Sequence, residues 1–191
     1  MNITSFIVYC FIVTFTPGPT NIVILSTVHN NGTKKALEYT YGATIAFGLL
    51  LVISAIVNSM LIEIISKILI FMQIIGSFYM LYLAYQIYKM DSSKSSISQR
   101  GTFISGFFMQ FLNPKVVLFT MTVIPSYILP YYVKMPAVTI SVLLITIIGF
   151  LAFITWVLFG TIFKMFLQKH KKSVNVLMAL FLVYAAVMIW L

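Results

Sequence analysis

The sequence predicts an all-α integral membrane protein with six transmembrane helices, arranged as two inverted repeats of three helices each. Of the 191 residues, 61% are hydrophobic and only 8% are charged, and the mean hydropathy is +1.07. An ordinary soluble domain is about 45–50% apolar and about 25% charged. A chain this apolar has too little polar surface to cover a globule in water, so lipid must be its main solvent.

Six apolar segments, separated by charges or turn formers, define the spans. A hydrocarbon core about 30 Å thick requires roughly 20 residues of apolar helix. The predicted spans cover about residues 3–28, 39–62, 68–88, 103–129, 137–163 and 174–191. Transmembrane β-strands are about ten residues long and alternate apolar with polar side chains. Runs that are continuously apolar exclude such a barrel and predict helices.

The spans are predicted to form a single transmembrane domain over residues 1–191. Repeat 1 covers about 1–90 and repeat 2 about 101–191, joined by a linker at about 91–100 that has the composition of a soluble segment. Residues 164–173 are predicted to form a basic loop. Four small residues in spans two and three are predicted to allow close helix packing: Gly42, Gly48, Gly76 and Ser77.

The basic residues predict the orientation of the chain. Nine of the twelve Lys and Arg residues lie in the first, third and fifth loops: Lys34, Lys35, Lys89, Lys94, Arg100, Lys164, Lys169, Lys171 and Lys172. By the positive-inside rule these loops are cytoplasmic, which places both termini on the outer face of the membrane. The net charge of +9 is therefore a topology signal, and no nucleic-acid partner is expected.

Two spans are interrupted by proline near their centres, at residues 16–21 and 113–115. Proline removes a backbone donor and forces the preceding residue out of the helical region. Within lipid, irregular backbone is tolerated only where protein or a cavity covers it. Each interruption is therefore predicted to begin a new half-helix inside the bundle.

The two interruptions follow the same pattern. Thr16 before Pro17 and Asn113 before Pro114 each place a favoured N-cap residue ahead of proline at the first helical position. The prolines are 97 residues apart, and each belongs to the first span of a three-span unit. Paired broken helices in two inverted halves predict a transporter site near the membrane midplane. The alternative, two merely kinked helices, does not explain the shared caps, depth and spacing together.

Lys115 is the one ionisable residue that this segmentation leaves deep within a span. A charge at that depth is costly and is a functional hypothesis by default. Beside the N-terminus of a half-helix, it predicts an anionic guest, and we expect a substrate carboxylate there. The alternative is that its ammonium snorkels to the cytoplasmic interface.

Other polar or conformationally special residues near the interruptions complete the candidate site. Gln110 and Asn113 share a helix face and are expected to reach a substrate amine or hydroxyl. The predicted substrate-binding residues are Thr16, Pro17, Gly18, Pro19, Asn21, Tyr79, Gln110, Asn113, Pro114 and Lys115.

The three acidic residues all lie near span ends or in the linker: Glu38, Glu63 and Asp91. A cationic substrate would lack a buried counter-charge, so neutral, zwitterionic or anionic molecules fit better. Glu38 is the one candidate for proton coupling, although Lys34 and Lys35 can pair with it on the helix surface. With a single cysteine, Cys10, and no acid pair at depth, neither an enzyme, a thiol relay, a metal site nor a cofactor is expected.

Four sequence runs stand out along the chain: Thr-Pro-Gly-Pro at 16–19, Gly-Thr-Lys-Lys-Ala at 32–36, Gly-Ser-Phe-Tyr-Met-Leu-Tyr-Leu at 76–83 and Phe-Leu-Asn-Pro-Lys-Val at 111–116. Together they resemble the lysine-exporter (LysE/RhtB) family of bacterial amino-acid efflux proteins. The match covers essentially the whole chain. Residues 123–130 and 175–186 look most like the branch that exports cysteine and O-acetylserine. The chain departs from the family pattern at Thr20, where Asn is more usual, and Asn21 follows one place later.

The resemblance implies a multi-pass inner-membrane exporter of amino acids, driven by the proton gradient. We expect alternating access, in which the two three-span units rock about a site framed by the half-helices. Cysteine with O-acetylserine, or threonine with homoserine, are the expected substrates. Export of lysine or leucine, a channel or importer, and a membrane assembly subunit stay open as alternatives. A homodimer also stays open as the assembly state.

Overall fold

The computed structural model describes residues 3–57, 61–89, 101–132 and 134–188. The whole predicted linker at 91–100, with Asp91, Lys94 and Arg100, therefore lies outside the described residues. Within those ranges every regular element is a helix. The helices are α1 (Ile3–Phe15), α2 (Pro19–Asn31), α3 (Thr33–Val57), α4 (Leu61–Tyr88), α5 (Phe103–Leu112), α6 (Pro114–Val123), α7 (Met135–Ile162), α8 (Lys164–Lys169) and α9 (Lys171–Met188).

Two described helices are each long and apolar enough to cross a membrane, namely Thr33–Ile56 within α3 and Met135–Ile162. Two further candidates are bent pairs: α1 with α2 at 47°, and α5 with α6 and its continuation to Ile128 at 69°. The outward faces of α3 and α7 are also apolar, with exposed Ile45, Leu49, Ile140, Leu143 and Ile147. The all-helical class predicted from the sequence is therefore confirmed, and the apolar helices agree with a protein embedded in a membrane.

Both predicted interruptions are real breaks, but several helix boundaries differ from the prediction. Gly32 alone separates α2 from α3, with a φ of 88° that favours glycine, so the second predicted span begins six residues early, at Thr33. The predicted basic loop at 164–173 is wrong in part, because α8 and the start of α9 occupy most of it. That stretch contains no Gly or Pro, and seven of its ten residues are Lys, Leu, Met or Gln, which are good helix formers.

A π-helical turn, Ile124–Ile128, extends α6 and was not predicted. Pro125 has no N–H to give the carbonyl four residues earlier, so the regular ladder cannot continue. The Leu129 N–H instead donates to the Ile124 carbonyl five residues back, at 3.1 Å. The turn thus lengthens the second half-helix beyond α6 without a second sharp bend.

The core consists of two apolar clusters, and each contains one half of each bent pair. Residues of α2 and α5 pack with Tyr39 of α3 and Phe153 of α7. Residues of α1 and α6 pack with Phe47 of α3 and Ile148 of α7. The continuous helices α3 and α7 thus run through both clusters, and both breaks lie between the clusters, level with the middle of α3 and α7.

Glycines allow the helices around the breaks to approach closely, as predicted for Gly42 and Gly76. A Cβ on Gly42 would lie 1.9 Å from the Phe103 carbonyl oxygen. Gly106 mirrors this contact, because its Cβ would lie 2.0 Å from the Tyr39 carbonyl oxygen. The α3 and α5 backbones therefore touch at two points where no side chain fits.

Candidate functional site

The two breaks meet in space, as the paired interruptions predicted. The Lys115 ammonium, just after the second break, donates to the Thr16 carbonyl at the first break over 2.9 Å, although the residues are 99 positions apart. The Lys115 side chain crosses directly over Gly18, where an added Cβ would lie 3.2 Å from Lys115 Cδ. Because residue 18 has no side chain, the Lys115 side chain has room to cross the break.

The first break leaves the last carbonyls of α1 without helical donors, and side chains satisfy them. The Asn21 Nδ2 donates to the Thr14 carbonyl at 3.3 Å and to the Thr16 carbonyl at 3.0 Å. The Trp156 Nε1 donates to the Phe15 carbonyl at 3.3 Å. Three consecutive carbonyls at the negative end of the α1 dipole thus face fixed donors.

The predicted cap of the first half-helix is wrong. That helix begins at Pro19 rather than Pro17, and its N-cap is Gly18, with φ −157°, ψ 175° and no side-chain cap bond. The Thr16 hydroxyl turns back instead and donates to the Ile12 carbonyl. The cause is the second proline: a residue before proline is excluded from the helical region, so Gly18 must be extended and Pro17 cannot start the helix.

The second break has the predicted cap. Asn113 is the N-cap of α6, Pro114 occupies the first helical position, and the Asn113 Oδ1 accepts from the Lys115 N–H at 3.2 Å. On the other side of the break, α4 approaches through Gly76, where an added Cβ would lie 2.4 Å from the Leu112 carbonyl oxygen. The break is therefore covered by protein rather than open to lipid, as irregular backbone requires.

Thr20 joins the two breaks through its hydroxyl. Its Oγ1 accepts from the Gln110 Nε2 at 3.2 Å and from the Asn113 Nδ2 at 2.9 Å. All three side chains are buried, with exposed fractions of 3%, 0% and 1% for Thr20, Gln110 and Asn113. The amide N–H groups that the sequence suggested for a substrate are thus directed to Thr20, and Asn113 is held in its capping position by the opposite half of the chain.

We expect Thr20→Val to destabilise the protein, because the nearly isosteric change leaves two buried amide donors without their acceptor. An unsatisfied buried donor costs about 1–3 kcal/mol. A total loss of about 2 kcal/mol corresponds to a fall in Tm of about 4–8 °C for a chain of this size. Thermal unfolding of purified protein in detergent measures the shift.

Thr20→Ser is the matched control for that prediction, since it keeps the hydroxyl and should unfold close to the wild-type Tm. A Thr20→Val protein as stable as wild type would show that the hydroxyl does not hold the two breaks together.

Two cavities adjoin the breaks. An outer cleft of about 560 Å³ is lined by Thr16, Pro17, Gly18, Pro19, Ile22, Asn113, Pro114, Lys115, Leu118 and, from α9, Phe181, Tyr184 and Ala185. An inner cavity of about 30 Å³ is lined by Val13, Thr14, Gly18, Thr20, Asn21, Phe47, Asn113, Lys115, Val116, Phe119 and Phe153. Gly18, Asn113 and Lys115 line both, so the cavities lie next to each other at the breaks.

The electrostatics of the outer cleft favour an anion. The Lys115 ammonium has three N–H donors, and the Thr16 carbonyl takes one of them. The first turns of α2 and α6 add positive dipole ends, and neither turn contains an acidic residue. A carboxylate in the cleft would therefore meet one full positive charge and two helix N-termini.

Two predicted site residues, Tyr79 and Glu38, line neither of the cavities at the breaks. Tyr79 packs against the apolar cluster that contains Tyr39 and lines neither cavity described above. Glu38 forms a 2.7 Å ion pair with Lys35 one turn earlier, and both side chains are more than a third exposed. Exposed pairs of this kind are typically worth about 0–1 kcal/mol. This geometry matches the surface-pair alternative and gives no support to a coupling role.

Sequence reasoning missed two residues that shape the site. Thr20 was noted only as a departure from a family pattern, and its polar side chain in the first turn after a break was the available signal. Trp156 carried no signal, because its partner at Phe15 is 141 residues away and is a backbone carbonyl.

Comparison with known proteins places the chain in a family. Residues 11–191 match the family described as LysE type translocator. The cysteine/O-acetylserine efflux protein of Klebsiella pneumoniae subsp. pneumoniae is 33% identical over 98% of this chain and 96% of its own length. The proteins of the same name from Salmonella paratyphi A and Escherichia coli K12 are 28% and 26% identical, over 100% and 98% of this chain and 98% and 97% of their own lengths.

No solved structure gives a significant match to the chain. The family match spans most of the sequence, and the relatives match it along nearly their whole lengths. The apolar helices described above agree with a protein embedded in a membrane. The chain belongs to the LysE type translocator family and is a membrane transporter rather than an enzyme.

Proposed function

We propose that the protein exports small zwitterionic amino acids or their derivatives, such as cysteine and O-acetylserine, across the bacterial inner membrane. The observation that carries the proposal is the Lys115 ammonium, supplied by one broken helix and bound to the carbonyl end of the other inside a cleft. The substrate class comes from the relatives, which are named for cysteine and O-acetylserine efflux.

The proposed architecture is six spans in two inverted repeats: α1 with α2, α3 and α4, then α5 with α6, α7 and α9. Two features support it. Each repeat begins with a bent pair, and α4 packs against α9, the corresponding last helix of the other repeat. The breaks are level with Phe47 and Phe153, which lie near the middle of α3 and α7. This level would be the membrane midplane, where transporters with inverted repeats bind their substrates.

The substrate carboxylate is proposed to bind Lys115 in the outer cleft. The volume of about 560 Å³ falls within the range of about 300–1,000 Å³ that is usual for small-molecule sites. An ammonium and two helix N-termini provide donors for a carboxylate. A zwitterion carries its own positive charge, so it needs no acidic residue at this depth.

Alternating access would act on the contacts that join the two repeats. Lys115 binds the Thr16 carbonyl, and Asn113 binds Thr20. A substrate carboxylate competes with the Thr16 carbonyl for the ammonium and so would loosen one of the contacts between repeats. We further propose that the proton gradient drives the cycle and that the basic odd-numbered loops are cytoplasmic.

Efflux from loaded cells tests this proposal. Cells that express the protein are loaded with labelled cysteine, O-acetylserine, threonine or lysine, and efflux is followed with and without an uncoupler. We expect faster efflux of cysteine and O-acetylserine than from cells without the protein, no acceleration for lysine, and slower efflux when the proton gradient is dissipated.

The outcomes separate the alternatives. Efflux equal to that of cells without the protein would contradict export. Faster efflux of lysine than of cysteine would contradict the argument that a cationic substrate lacks a buried acidic counter-charge here. Labelled substrate that equilibrates across the membrane in both directions, at a rate that the uncoupler does not change, would indicate a channel.

A further inference from the structure

Two buried acceptors near the breaks, the Asn21 Oδ1 and the Gln110 Oε1, have no role in the contacts described above, and of these two residues only Asn21 lines a cavity described above. Both donor hydrogens of Asn21 are used on the Thr14 and Thr16 carbonyls, but its Oδ1 has no hydrogen-bond partner among the residues the structure describes. The residue is only 3% exposed and lines the inner cavity. A buried acceptor without a partner costs about 1–3 kcal/mol. Such an atom beside a proposed binding site points to a donor supplied by a ligand.

The inner cavity is small but has room for a compact polar group. Its volume of about 30 Å³ exceeds the minimum of about 10–15 Å³ that a cavity needs to hold one water molecule. Its far wall consists of three rings, with Phe47 stacked on Phe119 at 6.0 Å and meeting Phe153 edge-on at 6.2 Å. A compact donor such as an ammonium group therefore fits between these rings and the polar side chains of the cavity.

The inner cavity offers acceptors for a cation, and the Lys115 side chain, whose ammonium is bound to the Thr16 carbonyl, lines it as well. The carbonyl end of α1 lies beside the cavity and carries the negative end of a helix dipole. Thr14 also lines the cavity, and its hydroxyl, which donates to the Cys10 carbonyl at 2.7 Å, keeps lone pairs that can accept. The cavity thus offers the Asn21 Oδ1 and the Thr14 Oγ1 as acceptors.

We propose that the inner cavity binds the α-ammonium group of the substrate and that the Asn21 Oδ1 is its principal acceptor. The proposal rests on the proposed function, in which the carboxylate binds Lys115 in the outer cleft. Ammonium and carboxylate of an α-amino acid are attached to one carbon, so their subsites must adjoin. The two cavities do adjoin, because Gly18, Asn113 and Lys115 line both. Asn21 thereby selects α-amino acids over other small carboxylates.

The test compares two ligands that differ in the amino group. In liposomes containing the full-length protein, L-cysteine and 3-mercaptopropionate are compared by the concentration at which each halves the transport of labelled L-cysteine. A hydrogen bond to a charged group accounts for roughly a 10- to 100-fold difference. For wild type we therefore expect 3-mercaptopropionate to be about 10- to 100-fold weaker.

Variants at position 21 then assign the discrimination to the Asn21 oxygen. Asn21→Leu should bring the ratio of the two concentrations towards one, whereas Asn21→Asp, which keeps an acceptor, should retain it. Any general damage from the lost Nδ2 bonds affects both ligands, so the ratio is insensitive to it. Asn175→Leu is the matched control, since Asn175 is 2% exposed and its amide atoms also have no described partner, but it lies on α9 and lines neither cavity.

Each result decides one claim. A wild-type ratio near one, or the wild-type ratio in Asn21→Leu, would overturn the ammonium subsite while leaving cysteine export intact. A ratio that also falls in Asn175→Leu would overturn the assignment to position 21. If labelled L-cysteine is not transported by any of these proteins, the proposed function itself fails.

Discussion

Lys115→Met is expected to reduce export of cysteine by about 100-fold at substrate concentrations below saturation. The substitution removes the one ammonium that bridges the breaks and leaves a bound carboxylate without its counter-charge. Removal of one partner from a buried, hydrogen-bonded charge pair costs about 2–5 kcal/mol, and a 100-fold change corresponds to about 2.7 kcal/mol. Initial rates of efflux from loaded vesicles, at several internal concentrations, measure the effect.

Two controls separate the Lys115 charge from its packing and from general damage. Lys115→Arg keeps the charge and should retain more export than Lys115→Met, although its planar fork fits the path over Gly18 less well. Lys134→Met removes an exposed lysine outside the helices and should export normally. Wild-type rates in Lys115→Met, with equal amounts of protein in the membrane, would contradict the role given to this residue.

Gly106→Ala is expected to lower the thermal stability of the protein strongly. The new Cβ would lie 2.0 Å from the Tyr39 carbonyl oxygen, and the neighbour in the way is helix backbone rather than a mobile side chain. Overpacking typically costs about 1–3 kcal/mol and occasionally more. A cost of about 3 kcal/mol corresponds to a fall in Tm of about 6–12 °C for a chain of this size.

Gly48→Ala is the control for that prediction. Its Cβ would meet only the Thr146 side chain, at 3.3 Å, and a side chain can shift by the few tenths of an ångström required. We expect its Tm to stay within a few degrees of wild type. Equal Tm values for the Gly106 and Gly48 variants would contradict the close α3 and α5 contact.

The features of the site that could be predicted are those that neighbouring residues in the sequence determine. A proline after Asn113 dictates a break and a cap within three residues, so the second half-helix could be placed correctly. At the first break the two prolines compete. Because Gly18 precedes Pro19, its backbone must be extended, and this restriction outweighs the preference of Thr16 for a cap position. A prediction based only on Thr16 and Pro17 does not take the second proline into account.

Contacts between distant parts of the chain could not be predicted in this way. Depth in the span singled out Lys115, but nothing in its neighbours indicated the Thr16 carbonyl as its partner. The same holds for Gln110, which was expected to face a substrate and instead binds Thr20. Such pairings depend on how α2 and α5 pack, and that packing is set by apolar surfaces spread over the whole bundle.

The central claim is that the two broken helices form a binding site for an exported amino acid. The most direct measurement is efflux of labelled O-acetylserine from liposomes that contain only the purified protein, compared with Lys115→Met liposomes and protein-free liposomes. The account predicts rapid efflux with wild type and efflux near the protein-free rate with Lys115→Met. Efflux from wild-type liposomes no faster than from protein-free ones, or equally fast from both proteins, would contradict it.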